Sequence, residues 1–446
     1  MFAAAWALLL PICMFSSFVG VLLWVWVALL SPNELLYGFM SAVPLNKIVA
    51  IATLTVLFIS REKKDPYLDT TLTLLLCFAA SCTISWLTAL APGADTDDLY
   101  QKLIKGIVLA FVISTVMVSR HRIHLLVLIV VVALGFLAVK EGLISLLTAG
   151  GHKILGSGSI GDNNSLATAL LMAIPLNFYL ARYSAVRAVR IGLYVTLGLS
   201  LVTVVMTFSR GGFVGMLVLA AFMIKNSRNK LASLAVVATA GIVIYAAAPD
   251  SWFERLHTIQ DANNDNSFMG RVVAWKMSWL IANAHPLFGG GPHSVQHLSV
   301  WTAYRPFLPT LDFIQTPKAD VMPHAAHSIY FEMLGDNGFV GLLLFIAAIA
   351  SALWNCRRIV RLTRHEPSLA WAYDLARLAQ ISFVVYLITG AALSMGYFEL
   401  VYIMLALTSR CHRTVKQSLA ATTRLAGGPI DAHDPDMLFA TAQMVR

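Results

Sequence analysis

Residues 125–148 read LLVLIVVVALGFLAVKEGLISLLT, a continuous apolar run in which Lys140 and Glu141 are the only charged residues. Comparable runs recur along the 446-residue chain, which is 58% hydrophobic and only 12% charged. A soluble domain carries about 25% charged residues. The runs are unbroken, as helices in a bilayer require, whereas the strands of a β-barrel would alternate in polarity. The sequence therefore predicts an all-α polytopic membrane protein.

The loops between these runs alternate in charge. Every second loop is basic, and the intervening loops are neutral, acidic or rich in glycine. Because basic loops stay in the cytoplasm, this alternation predicts about 12 transmembrane helices of ~20 residues with both termini inside. The sequence leaves open whether residues 2–30 form one kinked span or two short segments. The basic loops account for the net charge of +9, which gives no indication of nucleic-acid binding.

One long polar interval, residues 249–328, falls on the predicted outer side of the membrane. The same side receives an acidic loop with Asp95, Asp97 and Asp98, which we interpret as solvated; the alternative is a Mg²⁺ site. The histidines of the long interval lack zinc-ligand spacing, and the five cysteines include no CxxC pair. No metal or other cofactor is therefore expected.

Three side chains in or beside the long interval are candidates for chemistry. Arg210 stands where an apolar run meets two glycines, which allow the backbone to break and to approach a ligand closely. Arg271 opens a helical stretch with tryptophans at amphipathic spacing. His327 directly precedes a helix, whose N-terminal partial charge would keep the ring neutral and would attract phosphate. The alternatives are an arginine anchored at the membrane interface, a solvated arginine and a capping histidine.

Lys140 lies within an apolar run, near its outer end. A charged side chain inside a span is costly and is usually functional, although a lysine can also extend to the interface. Neighbouring residues occupy different helical faces, so Glu141 is not automatically its ion-pair partner. Together, the lysine, the outer arginines and a neutral histidine favour a polyanionic lipid-linked substrate, since arginine binds phosphate bidentately.

Several of these motifs, in this order, resemble those of the O-antigen ligase and polymerase superfamily of bacterial envelope glycosyltransferases. They are TFSRGG at residues 207–212, Gly270 and Arg271 followed by Trp275, PLFGGG at residues 286–291, and His327 and Ser328 followed by Gly335 and Gly338. The superfamily often has asparagine at the position of Ser328. The first half is similar to a subgroup of O-glycosylation ligases that occurs with exosortase and exopolysaccharide gene clusters. Its motifs here are GVLLWVW at residues 20–26, SPN at 31–33, KEG at 140–142 and GDNN at 161–164.

The resemblance implies a C-type membrane glycosyltransferase fold with one large periplasmic loop, in the bacterial inner membrane. Such an enzyme transfers a glycan from undecaprenyl pyrophosphate to a hydroxyl of a lipid, glycan or protein acceptor, without metal and with inversion. Arg210 and Arg271, with Lys140, would bind the pyrophosphate, and His327 would orient or deprotonate the acceptor hydroxyl. The residues expected to support this site are His324, Asn163 and Asn164.

The predicted organisation follows from these assignments. Residues 1–190 form an N-terminal transmembrane region, residues 191–409 form the catalytic module with its periplasmic loop at 249–328, and residues 410–446 form a cytoplasmic tail. A polysaccharide repeat-unit polymerase shares the same motifs and remains an alternative. A transporter or flippase of lipid-linked sugars is less favoured, because the sequence shows no internal repeat.

Overall fold

A computed structural model describes residues 13–36, 38–148, 160–226, 266–311 and 322–425, together with positions 11, 152, 154, 156 and 229–231. This part of the chain is helical and contains no β-strand. Its α-helices are α1 (Ser17–Leu30), α2 (Leu45–Ile59), α3 (Thr70–Leu87), α4 (Ala94–Val116), α5 (Arg120–Leu147), α6 (Asn163–Tyr183), α7 (Arg187–Met206), α8 (Arg210–Asn226), α9 (Asn266–Ala284), α10 (Leu298–Tyr304), α11 (Ile329–Thr363), α12 (Ala370–Thr389) and α13 (Glu399–Leu425).

The helices bear out an all-α polytopic membrane protein. Within the described ranges, 7 helical segments are long and apolar enough to cross a bilayer, and α1 and α2 are shorter apolar helices. The count of about 12 spans stays a prediction. Residues 231–248, predicted as one of those spans, fall almost wholly outside the described residues. So do positions 1–10, and with them the choice between one span and two over residues 2–30.

Two helices organise the bundle. The first is α11, which packs against α3, α9, α12 and α13, and the second is α6, which packs against α5, α7, α8 and α12. In an apolar stretch of 18 residues in α6, 89% of the residues are buried inside the protein, compared with 39% in the corresponding stretch of α11. The helix is therefore enclosed by its neighbours from Ser165 onwards, whereas Asn163 and Asn164, which begin it, are partly exposed.

At one end of the bundle, Asp65 binds the last helix. Its carboxylate accepts hydrogen bonds from Arg410 Nη1 at 2.9 Å, from Arg413 Nε at 2.7 Å and from Gln417 Nε2 at 2.9 Å. Arg410 is only 1% exposed and belongs to a continuous helix that reaches Leu425. The first part of the predicted cytoplasmic tail is thus helical and is bound to the bundle through Asp65; the boundary at residue 410 stays a prediction.

The loops that were predicted to share a side do share an end of the bundle. Asn355 of α11 donates to Asp69 Oδ2 at 3.0 Å, which brings the basic loop after α11 to the Asp65 end. Arg122 of α5 donates to Val116 O at 2.8 Å at the same end. The loop before α4 lies at the opposite end, where the Leu90 N–H donates to Gly290 O at 2.9 Å. The relative sidedness of these loops agrees with the alternation of charge.

The acidic cluster lies on a helix and not in a loop. Asp95 and Asp97 occupy the first turn of α4, where a carboxylate offsets the partial positive charge of the helix terminus. Asp97 Oδ1 accepts a hydrogen bond from Trp86 Nε1 at 2.7 Å, and Trp86 stacks on Tyr100 with ring centroids 4.4 Å apart. The prediction of a loop was wrong, because polarity in a first helical turn resembles polarity in a loop, but Asp95 and Asp98 are exposed as expected.

A glycine-rich segment is inserted into a break in α11. Gly338 has φ 66° and ψ −170°, which interrupts the helix. Opposite the break, the Gly290 N–H donates to Gly335 O and the Gly291 N–H donates to Asp336 O, both at 2.9 Å. A Cβ atom on Gly289 would lie 2.5 Å from Gly338 N, closer than any side chain permits. Two backbones meet here, and only glycine allows that approach.

Candidate functional site

Arg210 begins α8 at a sharp corner in the backbone. Phe208 has φ 53°, a left-handed conformation that ends α7, and Ser209 Oγ then accepts a hydrogen bond from the Gly212 N–H at 2.9 Å. Asn163 closes the corner from α6, since its Nδ2 donates to Thr207 O at 2.7 Å. The arginine side chain is exposed at this corner. The break that the flanking glycines predicted is therefore present.

The motif at residues 161–164 forms the start of α6. Asp162 is the N-cap: its Oδ1 accepts hydrogen bonds from the backbone N–H groups of Asn164 and Ser165 at 2.7 and 3.0 Å. An aspartate at this position satisfies N–H groups that a helix leaves without partners. Asn163 and Asn164 are thus helical residues, and the cap leaves the Asn163 amide directed at the α7–α8 corner.

Arg271 lies on α9, which packs along α11. One turn further, Trp275 Nε1 donates to Ala326 O at 2.6 Å, and its ring stacks on Phe331 with centroids 5.1 Å apart and planes 9° from parallel. Trp275 therefore holds the residue directly before His327. The sequence identified Trp275 only as part of an amphipathic helix face. Nothing in the sequence indicated its hydrogen bond to Ala326.

His327 has a strained backbone immediately before α11. Its φ of 43° is left-handed, a region that residues other than glycine rarely adopt. Its N–H donates to Ser394 Oγ at 3.0 Å. The next residue, Ser328, is the N-cap position of α11. Strain of this kind persists only where neighbouring contacts enforce it, and it is common at functional sites.

The charged groups around His327 include two other residues of the predicted site, Arg271 and His324. Burial lowers the pKa of His327, the nearby charges of Arg271 and His324 lower it further, and Asp162 raises it. The ring is therefore neutral at pH 7, in agreement with the prediction. In the structure, the pKa of His327 is lowered by burial and by the charge of Arg271. The sequence argument had instead relied on the partial charge of the helix terminus.

His324 packs behind this group. A Cβ atom on Gly270 would lie 3.2 Å from His324 Nδ1, so the ring lies against the backbone next to Arg271. The His324 ring also contacts Trp301 edge-on, with ring centroids 5.9 Å apart. This placement fits a supporting role and explains why the residue before Arg271 is a glycine.

Lys140 lies at the same end of the bundle but pairs within its own helix. Its Nζ is 3.1 Å from Glu141 Oε1, and the second oxygen of Glu141 is 2.7 Å from His152 Nε2. The argument from helical faces did not anticipate this pair, because a flexible lysine chain can reach around the helix. Glu141 is buried, whereas 42% of the Lys140 side chain is exposed. Some of the lysine surface thus remains accessible to a ligand.

The segment between α12 and α13 was not anticipated as part of the site. In addition to Ser394, it contributes Gly396, whose N–H donates to Glu332 Oε2 at 2.7 Å. Glu332 is buried one turn into α11. The segment therefore holds α11 at two points, next to His327 and one turn later. Only the acidic Glu332 within an apolar run indicated this contact; Ser394 lies 67 positions from His327 in the sequence.

Among the residues that the structure describes, no group of three or more His, Cys, Asp or Glu side chains is arranged to hold a metal ion. All five cysteines are free thiols, and four of them are buried. What the site offers chemically is arginine for an anion and a neutral imidazole for a proton.

Two family models match the chain. Residues 195–346 match the model described as O-antigen ligase, and this region includes Arg210, Arg271 and His327. Residues 1–185, which include Lys140 and Asn163, match a family of unknown function, DUF5935. No curated protein matches the chain.

Proposed function

We propose that the protein, whose residues 195–346 match the family model described as O-antigen ligase, is an inverting, metal-independent glycosyltransferase. It moves a glycan from undecaprenyl pyrophosphate to a hydroxyl group of a lipid, glycan or protein acceptor. The family consists of membrane glycosyltransferase-like enzymes of the ligase or polymerase type. The observation that carries the proposal is the placement of a half-buried, neutral His327 within electrostatic reach of Arg271.

In the proposed reaction the acceptor oxygen attacks the anomeric carbon from the face opposite the pyrophosphate. The bond between that carbon and the pyrophosphate oxygen breaks, and the configuration inverts. The acceptor proton passes to the neutral imidazole of His327, as to a general base. Arg210 and Arg271, with Lys140, stabilise the charge that grows on the leaving pyrophosphate. Because pyrophosphate already leaves readily, positioning accounts for much of the rate.

Arg271 links donor binding to the base. In the free enzyme its positive charge lowers the pKa of His327, which weakens the imidazole as a proton acceptor. A bound pyrophosphate offsets that charge, so the proton affinity of His327 rises when the donor is present. The base then becomes effective only when there is a glycan to transfer, and it does not deprotonate hydroxyls unproductively.

We assign the His327 end to the periplasm and the Asp65 end to the cytoplasm of the bacterial inner membrane. The basic loops support this orientation, because they share the Asp65 end. In a background without the native cysteines, Thr302→Cys should react with an impermeant thiol reagent added to intact cells, and Arg361→Cys should not. Both positions are exposed in the structure. The reverse labelling pattern would overturn the orientation.

The decisive experiment is incubation of the purified protein with undecaprenyl-pyrophosphate glycan and candidate acceptors, followed by mass analysis. We expect one glycan per acceptor, absent with His327→Ala and retained with the matched control His297→Ala. His297 is exposed, and its Nδ1 is 2.9 Å from Ser299 Oγ. A ladder of products on lipid would instead identify a repeat-unit polymerase. Absence of any transfer with every acceptor and donor tested would contradict both activities.

A further inference from the structure

One peptide group, the one that joins Ala326 to His327, is bound on both of its edges. Its carbonyl, Ala326 O, accepts a hydrogen bond from Trp275 Nε1 at 2.6 Å, and its N–H donates to Ser394 Oγ at 3.0 Å. The two partners come from different parts of the fold, α9 and the segment between α12 and α13. We call these two hydrogen bonds the peptide clamp.

The orientation of this peptide determines the backbone conformation of His327. A peptide group is planar, so rotating it changes ψ of Ala326 and φ of His327 together. The φ of His327 is 43°, in the left-handed region. At a residue other than glycine that conformation costs about as much free energy as one hydrogen bond contributes. Any large rotation that relaxes it would break both bonds, since the C=O and N–H of a trans peptide point in opposite directions.

The two partners are themselves fixed, so they cannot follow the peptide if it rotates. The Trp275 ring stacks on Phe331 of α11, with centroids 5.1 Å apart and planes 9° from parallel. On the other side, Tyr386 Oη donates to the carbonyl oxygen of Met395, directly after Ser394, at 2.9 Å. The next backbone N–H donates to a buried carboxylate of α11 at 2.7 Å. Strain persists under this condition, in which surrounding contacts leave the backbone no alternative.

We propose that Trp275 and Ser394 are positioning residues, and that the peptide clamp holds the imidazole of His327 where it takes the proton of the acceptor hydroxyl. Release of either bond lets the backbone of His327 leave the left-handed region, and the ring moves with it. The loss then falls on kcat and not on the KM for the donor, because the pyrophosphate is bound by other side chains. The effect on turnover rests on the proposed function; the peptide clamp itself does not.

The first test is a set of variants assayed for transfer in nanodiscs. Trp275→Phe keeps an aromatic ring against Phe331 but lacks the N–H, and Ser394→Ala lacks the accepting oxygen. Each should lower kcat about fivefold, the rate equivalent of one net hydrogen bond, with the KM for the donor little changed. Because both bonds hold one peptide, the double variant should lose less than the product of the two single losses. Ser394→Thr retains a hydroxyl group and should recover most of the rate.

The matched controls are Trp279→Phe and Ser299→Ala, whose native side chains are exposed and take no part in the peptide clamp. Both should keep the wild-type kcat. A wild-type kcat in Trp275→Phe and in Ser394→Ala would overturn the proposal, once size exclusion shows the variants to be folded. Losses that multiply in the double variant would also overturn it, because they would indicate two independent structural effects.

A second measurement does not depend on transfer. Diethyl pyrocarbonate reacts with neutral imidazole, and mass analysis of peptides gives its rate of reaction at each histidine. In either single variant the half-buried His327 should react several-fold faster, while the exposed His297 in the same sample reacts at an unchanged rate. An unchanged rate at His327 would overturn the peptide clamp. Failure of the wild type to transfer any glycan would contradict the proposed function alone, and the reaction rates would still support or overturn the peptide clamp.

Discussion

The two ends of the bundle handle positive charge in different ways. At the Asp65 end, buried Arg410 and its neighbour Arg413 are bound directly to one carboxylate, and the helices that carry them are regular. At the His327 end, backbone strain accompanies the cationic residues: Phe208 and His327 have φ angles of 53° and 43°. A paired, regular arrangement stabilises a fold, whereas strain enforced by neighbours holds side chains ready for chemistry. The comparison predicts that changes at one end reduce stability and that changes at the other end reduce turnover.

The largest effect is expected for His327→Ala. Turnover should fall by about 10²–10⁴-fold, the range for a positioned general base, with donor affinity nearly unchanged. His324→Ala should cost much less, because that ring packs behind the site. The measurements are donor affinity and turnover in nanodiscs, with folding checked by size exclusion. Normal turnover in His327→Ala, or a greater loss in His324→Ala, would contradict the assignment of His327 as the base at this end of the bundle.

The Asp65 end should show the opposite pattern. Asp65→Ala leaves Arg410 buried without its carboxylate, which costs on the order of 3–5 kcal/mol of stability. Turnover per folded molecule should stay close to wild type, since Asp65 lies far from His327. Thermal unfolding in detergent measures the first effect and initial rates measure the second. Asp65→Ala/Arg410→Leu should recover much of the stability, and a failure to recover would show that Asp65 acts otherwise than through this pair.

Substitutions of Arg271 test whether donor binding and glycan transfer depend on the same side chain at the His327 end. Arg271→Ala should weaken donor binding and slow transfer by roughly 10²-fold, because leaving-group charge grows in the transition state. Arg271→Lys should restore only part of the loss, since lysine lacks the bidentate fork.

The pH profile gives a second measurement. The reactive form of His327 is neutral, so the rate falls as the pH drops through its pKa, which burial and Arg271 hold below the usual value. Removing Arg271 should move the acidic limb of kcat/KM to higher pH. A limb that stays in place, or that moves to lower pH, would contradict the assignment of His327 as the base.

The smallest effect is expected at Lys140. Its charge is already partly offset by Glu141, so Lys140→Ala should raise the KM for the donor only a few-fold, in the range of an exposed ion pair. Glu141→Gln should lower that KM, because it frees the ammonium for the pyrophosphate. Donor titrations of both variants sharpen the comparison. An unchanged KM in both would exclude Lys140 from pyrophosphate binding.

Sequence reasoning located the described apolar helices and the break at Arg210, because both depend on local pattern. Apolar runs mark helices, and the glycines around Arg210 mark a break. It failed where the partner is distant or the context is tertiary. The Ser394 contact to His327, the Trp275 contact to Ala326 and the burial of Arg410 against Asp65 each join residues far apart in the chain. The first turn of α4 was taken for loop residues, because capping residues are as polar as loops.

The glycine-rich segment inserted at Gly338 has a consequence for engineering. It is joined to α11 by backbone hydrogen bonds, and directly after it His293 and Ser294 are bound to the Asp336 carboxylate of the same helix. Exchanges between homologues that aim to alter which acceptor is admitted should therefore spare residues 286–294, because changes there would displace α11 and with it His327.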